Sequence, residues 1–530
     1  MAVPFIKLGD VNTSASGKIQ RIYIVRLLAD VKALTAPCRC SVTTTTQPVE
    51  AIQSTGGNNL MDIPGPGGIY NLPYFGFRLH FKPFSKYDMR LISEKYEAWK
   101  NKYGPIVRVR LGKPWGLYLF DPDDIEKVFR SDNKHPERLT LPLLSVYEKR
   151  QKIPPSLANA NGEDWYAMRG PTQKIMLRPK AVTKYAPKIS AIADDFVDSL
   201  KNSDRLENLP FKLMEYSAEG VGMLCFNTRL GCITSDNTVT PLMDYTKEYL
   251  DHLGNHLYSM IPTYMLYKSK FYKEFETAAN FLYSEADKHI NKALADLKQA
   301  SENGLEHESN LLLDLLSTPG LTPAQVQRTI TDVFIGGIDS TANTLTFLLF
   351  NLANNPDKQE RLFQDIKEHV PKKGEIQEDT INKMPYLKAC LKESFRTLFP
   401  IAGGTLRILD KDITLKGYNI PKGTPMQLCS GTICRDEQYF PQNDKFIPER
   451  WMRGEARTDV NPFAHLPFGF GPRKCIGQRF AEQEVYICAA KLLRNYRVVL
   501  PPGVTDIPYY YCIFATPKEP ASFLLEKRQD

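Results

Sequence analysis

Five hundred and thirty residues, 42% apolar and 24% charged, are enough chain for a substantial core, and their composition excludes a mainly disordered protein. The net charge of +8 is spread without a run of five or more basic residues, which argues against nucleic acid and suits a local basic patch for an acidic protein partner. Ten irregularly spaced cysteines, with no Cys-x-x-Cys and no Cys/His cluster of structural-zinc spacing, read as reduced thiols in a reducing compartment.

The first 60 residues differ from the rest. They hold six basic and three acidic side chains and are rich in Ser and Thr. Ile19–Leu34 has apolar residues at helical spacing but is interrupted by Arg21, Arg26, Asp30 and Lys32. It is therefore no membrane span, which needs about 20 predominantly apolar residues, and no other segment supplies one. An Arg-bearing, acid-poor, amphipathic start predicts an organelle-targeting leader over residues 1–60. IPGPGG, Ile63 to Gly68, is expected to end it.

VRVRLG and WGLYLFD then predict two short strands of a hairpin. After about residue 120 the pattern is mainly helical. The clearest helix runs from Thr322 to about Asn355, with Thr322 and Gln325 forming a capping box and Pro323 at the first helical position. Its middle, FIGGIDSTANT, breaks helix rules with paired glycines costing about 1 kcal/mol each. PYLKACLKESFRTLFP predicts a further helix between Pro385 and Pro400, and TLRILDKDITLKGYNIPKG alternates as short strands with turns. The expected fold is mainly α with a minor β portion, one large domain over residues 61–530.

LPFGFGPRKCIGQRF carries the chemistry. Gly469 and Gly471 permit a tight turn and close approach of a flat ligand to the backbone. Helical periodicity resumes near Ile476, so Cys475 lies at a helix N-terminus, where the dipole and free N–H groups favour a thiolate. Arg473 is spaced to pair with a carboxylate of the same ligand, and Phe468 to pack under it. The glycine spacing overlaps the dinucleotide fingerprint, but Lys474 stands where the third glycine belongs. A soft anionic ligand with a planar, carboxylate-bearing partner points to haem iron.

At every defining position, Phe468, Gly471, Arg473, Cys475 and Gly477, this stretch resembles the cysteine-loop signature of the cytochrome P450 superfamily, the haem-thiolate monooxygenases. The resemblance implies haem b with Cys475 as the axial ligand to iron. It implies a buried structural triad of Glu393 and Arg396, in KESFR, with Arg450, in FIPERW. Gly336 and Gly337 would make room for dioxygen over the haem, and Asp339 and Ser340 would relay protons. Serine stands where threonine is usual, so looser coupling of electrons to product is expected. Trp165 and Arg169, in EDWYAMR, and Arg407, in GGTLRIL, would join Arg473 at the haem carboxylates.

Lys388 and Lys392, at i and i+4, look like the mitochondrial branch of the family, where such lysines dock an adrenodoxin-type 2Fe–2S ferredoxin; Lys474 and Arg479 would extend the patch. The C-terminal half is similar to insect mitochondrial members. The implied setting is the matrix side of the inner mitochondrial membrane, with peripheral membrane contact. The implied reaction inserts one oxygen atom into a lipophilic steroid or xenobiotic. Residues 134–160 and 214–271 should cover the pocket and its entrance. His256–Phe275, interleaving aromatics, Met and Lys, reads as an interfacial segment or a core helix. An oxygen-independent isomerase or dehydratase on the same fold and a non-enzymatic haem binder are the alternatives. The Asp339–Ser340 pair argues against the first and the open GGID stretch against the second.

Overall fold

The computed structural model describes residues 58–233, 240–257, 262–303, 310–454 and 459–529. The expected leader falls on residues outside this range, apart from its last three. Asn58–Asn59 (β1) already belongs to the folded body, and Ile63, in the proline–glycine run, is buried with the Pro64 carbonyl accepting the Arg108 N–H at 2.9 Å.

The hairpin forms as its alternation requires. Ile106–Arg110 (β2) and Trp115–Leu119 (β3) pair antiparallel with Arg108 opposite Leu117. Strand β4, Arg205–Leu206, lies far along the chain in another sheet. The stretch expected to alternate resolves into Thr405–Ile408 (β5), Ile413–Leu415 (β6) and Tyr418–Ile420 (β7), and Pro425–Leu428 (β8) follows just beyond it. Strand β8 runs parallel to β3 and antiparallel to β5, giving the order β2-β3-β8-β5. Strands β6 and β7 form a second small sheet with β1. Tyr496–Val499 (β9) and Phe523–Lys527 (β12) join β4, and Tyr509–Tyr511 (β10) pairs with Ala515–Pro517 (β11).

Helices dominate the rest: Ile92–Tyr103 (α1), Pro122–Ser131 (α2), Pro142–Gln151 (α3), Gly162–Met176 (α4), Ala186–Ser199 (α5), Leu209–Phe226 (α6), Thr240–His256 (α7), Lys270–Glu302 (α8), Pro323–Asn354 (α9), Pro356–His369 (α10), Pro385–Thr397 (α11) and Gln478–Asn495 (α12). Helix α9 starts with the expected capping box, Thr322 Oγ1 accepting the Gln325 N–H at 3.3 Å and Gln325 Oε1 accepting the Thr322 N–H at 2.9 Å. Its 32 residues make a rod of about 48 Å. By length and composition this helix could cross a membrane, with mean hydropathy 1.3 over its most apolar window. Two-thirds of that window is buried, because α6, α8, α11 and α12 pack around it. Its apolarity is that of a core helix, which is why it should not be counted as a span.

Candidate active site

Leu466 to Gly477 forms a loop in front of α12. The Cys475 N–H donates to the Phe468 carbonyl at 2.8 Å, and Gly469 and Gly471 sit at φ +70° and +73°, which only glycine adopts readily. The chain beyond Cys475 turns into α12 two residues later than the periodicity predicts. The backbone N–H groups of Gly477 and Gln478 are thereby aimed at the Cys475 sulfur. Burial pushes that thiol up, while those two amides and Arg169 pull it down. Cys475 is the only exposed cysteine among the described residues, and it opens into an internal cavity. The others are buried, and burial pushes each thiol up. Phe468 also lines the cavity, edge-on to Phe395 at 5.4 Å.

This cavity measures about 910 Å³, and Trp165, Arg169, Arg407 and Arg473 line it with Cys475. Arg473 stacks on Trp165 at 4.3 Å and donates through Nη2 to the Ala160 carbonyl at 2.6 Å and Asn161 Oδ1 at 2.8 Å. Its Nε and Nη1 are buried without partners, as is Arg169 Nε. Arg169 Nη2 donates to the Lys474 carbonyl at 2.6 Å. Burial lowers Arg473 to about 9, with Arg138, Arg407 and Arg169 adding their repulsion, and burial lowers Arg169 to about 10. Unmet cations of this kind are a site for anions.

Arg407 lines the same cavity and also has a carboxylate partner of its own. Its Nε donates to Asp132 Oδ2 at 2.8 Å, Nη1 to the Leu406 carbonyl and Nη2 to the Phe470 carbonyl. Strand β5 buries it against the end of α2, so it comes with its own carboxylate. Sequence reasoning missed Arg138, which lines the same cavity and is lowered to about 10 by burial and by Arg407 and Arg169. Arg138 sits in the loop before α3, where no periodicity marks it. The structure alone joins it to Arg473, through Asn161, whose Oδ1 accepts the Arg138 N–H at 3.2 Å.

Across the cavity wall stand Gly336, Gly337 and Ser340 of α9. A Cβ on Gly336 would meet nothing, so this glycine leaves open space in the cavity. A Cβ on Gly337 would come within 2.7 Å of Val221 Cγ2, so this one serves the close packing of α9 on α6. The helix stays α throughout and is not loosened. Ser340 Oγ donates to the Gly336 carbonyl at 2.7 Å. Asp339 is buried behind the lining and accepts from Asn343 Nδ2 at 2.9 Å; Asn343 itself lines the cavity. The acid and the alcohol therefore do not bond each other. Burial raises Asp339 to about 7, with Asp251 adding to the rise. Glu484 of α12, buried and cavity-lining with Oε1 unpartnered, was also missed: α12 carries two acids and several cations, and nothing in its spacing singles out Glu484.

Glu393, Arg396 and Arg450 come together as expected. Lys388 and Lys392 lie on α11, and both act with Arg479 on the Glu482 carboxyl, so the three cations share one face. Arg479 Nε donates to the Leu177 carbonyl at 2.8 Å.

Residues 66–525 match the family model "Cytochrome P450". The chain belongs to that family. It is 28% identical over 478 residues to cytochrome P450 27C1 of Danio rerio, covering 87% of this chain and 86% of the relative. The 1,25-dihydroxyvitamin D(3) 24-hydroxylase, mitochondrial, of Mus musculus is 29% identical and covers 83% of this chain and 84% of its own length. Probable cytochrome P450 12b2, mitochondrial, of Drosophila melanogaster is 28% identical, with 88% and 89% covered. The solved structure of retinoic acid bound cyanobacterial CYP120A1 shares the fold, with TM-score 0.71 at 22% identity, covering 89% of this chain and all of the other.

As a cytochrome P450 the protein is a monooxygenase, and its cofactor is haem held by a cysteine thiolate. The residues present fit that group. One cavity-facing sulfur receives helix N-terminal amides, and orphaned guanidinium nitrogens wait for carboxylates beside it.

Proposed function

We propose that this cytochrome P450 inserts one oxygen atom from O2 into a lipophilic steroid- or xenobiotic-like molecule, with Cys475 as the thiolate ligand and electrons from an adrenodoxin-type 2Fe–2S ferredoxin. The observation that carries this reading is the Cys475 sulfur, opening into a large cavity that Gly336 and Ser340 also line. Bound haem would supply the activation of dioxygen.

The chain's own residues do the rest. The Gly477 and Gln478 amides hold negative charge on sulfur. Arg169, Arg407 and Arg473, with Trp165 beneath Arg473 and Arg138 added by the cavity lining, would hold the haem carboxylates. Gly336 keeps the distal space open, and Ser340 Oγ, anchored on the Gly336 carbonyl, presents a hydroxyl to it. Asp339, poised near neutrality, stores a proton behind Asn343. Leu157, Val221, Leu224, Val333, Phe347 and Phe514 give the apolar lining that excludes water and suits a lipophilic substrate.

The ferredoxin reading rests on Lys388, Lys392 and Arg479 sharing a face, with Lys474 in the adjoining loop. Relatives named mitochondrial support a mitochondrial setting, for which we propose the matrix side of the inner membrane and a targeting leader in residues 1–60. Exposed Met265, Leu266 and Tyr267, in the segment read as interfacial, and Ile69, Tyr74, Phe75 and Phe84 support peripheral membrane contact; Tyr258 to Ile261 of that segment lie outside the described residues. The test is the reduced, carbon monoxide-treated protein. A red-shifted Soret band lost in Cys475→Ala is expected; a normal-thiolate band surviving in Cys475→Ala would overturn the assignment. Ferredoxin-dependent oxidation of a steroid and insecticide panel tests the reaction.

A further inference from the structure

The cavity holds more positive charge than a haem needs. Among its lining cations, Arg138, Arg169 and Arg473 gather near Cys475, Arg407 is matched by Asp132, and Lys82 is within 3.8 Å of Asp88. Two more, Arg78 and Arg90, come from different elements: the 3-10 turn Arg78–His80, and the 3-10 turn Met89–Leu91, which packs beside β10. Arg78 has no carboxylate partner among the described residues. Arg90 stacks on Tyr510 at 3.9 Å, and its Nη2 is 3.4 Å from Asp251 Oδ1, an oxygen that already accepts the Tyr510 hydroxyl at 2.8 Å. The Arg90 Nε is buried and unpartnered.

The remaining lining acids do not answer this charge. Asp332 accepts the Leu157 N–H at 2.6 Å and lies 3.6 Å from Arg328 Nε, while Glu482 faces the lysines of α11. Glu484 sits on α12 beside Thr341 and Gly220. The same cavity carries an apolar lining, with Val221, Leu224, Phe347, Ile513 and Phe514. An apolar chamber with such cations recognises a molecule with one charged end.

We propose, resting on the reading of the cavity as a haem monooxygenase site, that the substrate is an amphipathic anion whose carboxylate or sulfate seats on Arg78 and Arg90 while its apolar body extends toward the Cys475 side. The two arginines thus select which part of the molecule lies over the reacting centre. They are specificity-determining residues and take no part in the oxygen chemistry.

Isothermal titration calorimetry on the full-length protein, in lipid-free buffer, tests this with two matched pairs. One is hexadecanoic acid against hexadecan-1-ol; the other is a steroid 3-sulfate against the free steroid. The two pairs separate a carboxylate source from a sulfate source. In at least one pair the anion is expected to bind about tenfold tighter, equivalent to about 1.4 kcal/mol, and this preference should fall to within about twofold in Arg78→Gln and in Arg78→Gln/Arg90→Gln. The single variant guards against misfolding from loss of the Arg90–Tyr510 stack. Equal or tighter binding of the neutral member in both pairs overturns the proposal, as does absence of binding in both, or a preference that survives both variants. Calorimetry reads affinity independently of the carbon monoxide spectrum, so failure here is distinguishable from failure of the haem assignment.

Discussion

Arg450 Nε lies 3.1 Å from Glu393 Oε1, tying together residues 57 apart in sequence. The same oxygen accepts from Arg396 Nη2 and from the Ile447 N–H, each at 2.9 Å, and Oε2 accepts from the Trp451 indole at 2.8 Å. Arg396 further donates to the carbonyls of Cys434, Asn443 and Lys445, and Arg450 to that of Pro441. One carboxylate thus pins the irregular segment between β8 and the cysteine loop onto α11.

Glu393→Gln should therefore be strongly destabilising. All three charged side chains are buried, and the substitution leaves two guanidiniums without a counter-charge. Breaking one partner of a buried ion pair costs about 3–5 kcal/mol. The expected result is a marked fall in the urea midpoint, with haem lost early in the transition. An unchanged midpoint would mean the triad is not what holds the segment.

Asp339 gives a prediction with a sign. Its carboxyl is raised from the ordinary aspartate range to about 7, so the folded state binds a proton that the unfolded chain has released. Stability from this site is therefore full below about pH 4 and declines as pH rises toward 7. The penalty above pH 7 reaches up to about 4 kcal/mol, at about 1.4 kcal/mol per unit. Asp339→Asn removes it, so the variant should gain in Tm over the parent as pH rises from 5 to 8. It should also turn over more slowly, because the stored proton is gone. A Tm difference flat across that range would refute the buried-acid account.

The cysteine loop was legible because its demands are local: Gly469, Gly471 and Cys475 are specified by turn geometry and by the helix that follows. The capping box of α9 and the β2–β3 hairpin were legible for the same reason. Charge clusters assembled from distant segments were not. Asp132 claims Arg407 only because α2 ends beside β5, and Arg138 reaches the cavity from a loop with no periodicity. The division of labour between Gly336 and Gly337 was likewise hidden, since it depends on which glycine faces Val221 and which faces open space.

Ser340 tests how much a rotamer matters. Its hydroxyl is fixed by one bond to the Gly336 carbonyl and lacks the methyl that would restrict χ1. Ser340→Thr should raise product formed per reducing equivalent, and Ser340→Ala should lower it, with reductant consumption little changed. Parallel measurement of product, peroxide and reductant oxidation decides it. Identical coupling in all three proteins would remove Ser340 from the proton path.

Lys388 and Lys392 provide the test of partner docking. Lys392 is exposed above Trp451, at 5.9 Å from its ring, and Lys388 Nζ reaches Asn382 Oδ1 at 2.7 Å without being buried. Exposed charges such as Lys392 act mainly on encounter rate and salt dependence. Lys388→Glu/Lys392→Glu reverses the local field, so affinity for a 2Fe–2S ferredoxin should fall by at least about tenfold, or about 1.4 kcal/mol. The dependence of association on ionic strength should flatten in the same variant, because fewer opposite charges remain to be screened. The carbon monoxide spectrum should not move, since neither lysine lines the cavity. If association at low salt is as fast as in the parent, the electron donor docks elsewhere, and the shared face of Lys388, Lys392 and Arg479 is simply solvated.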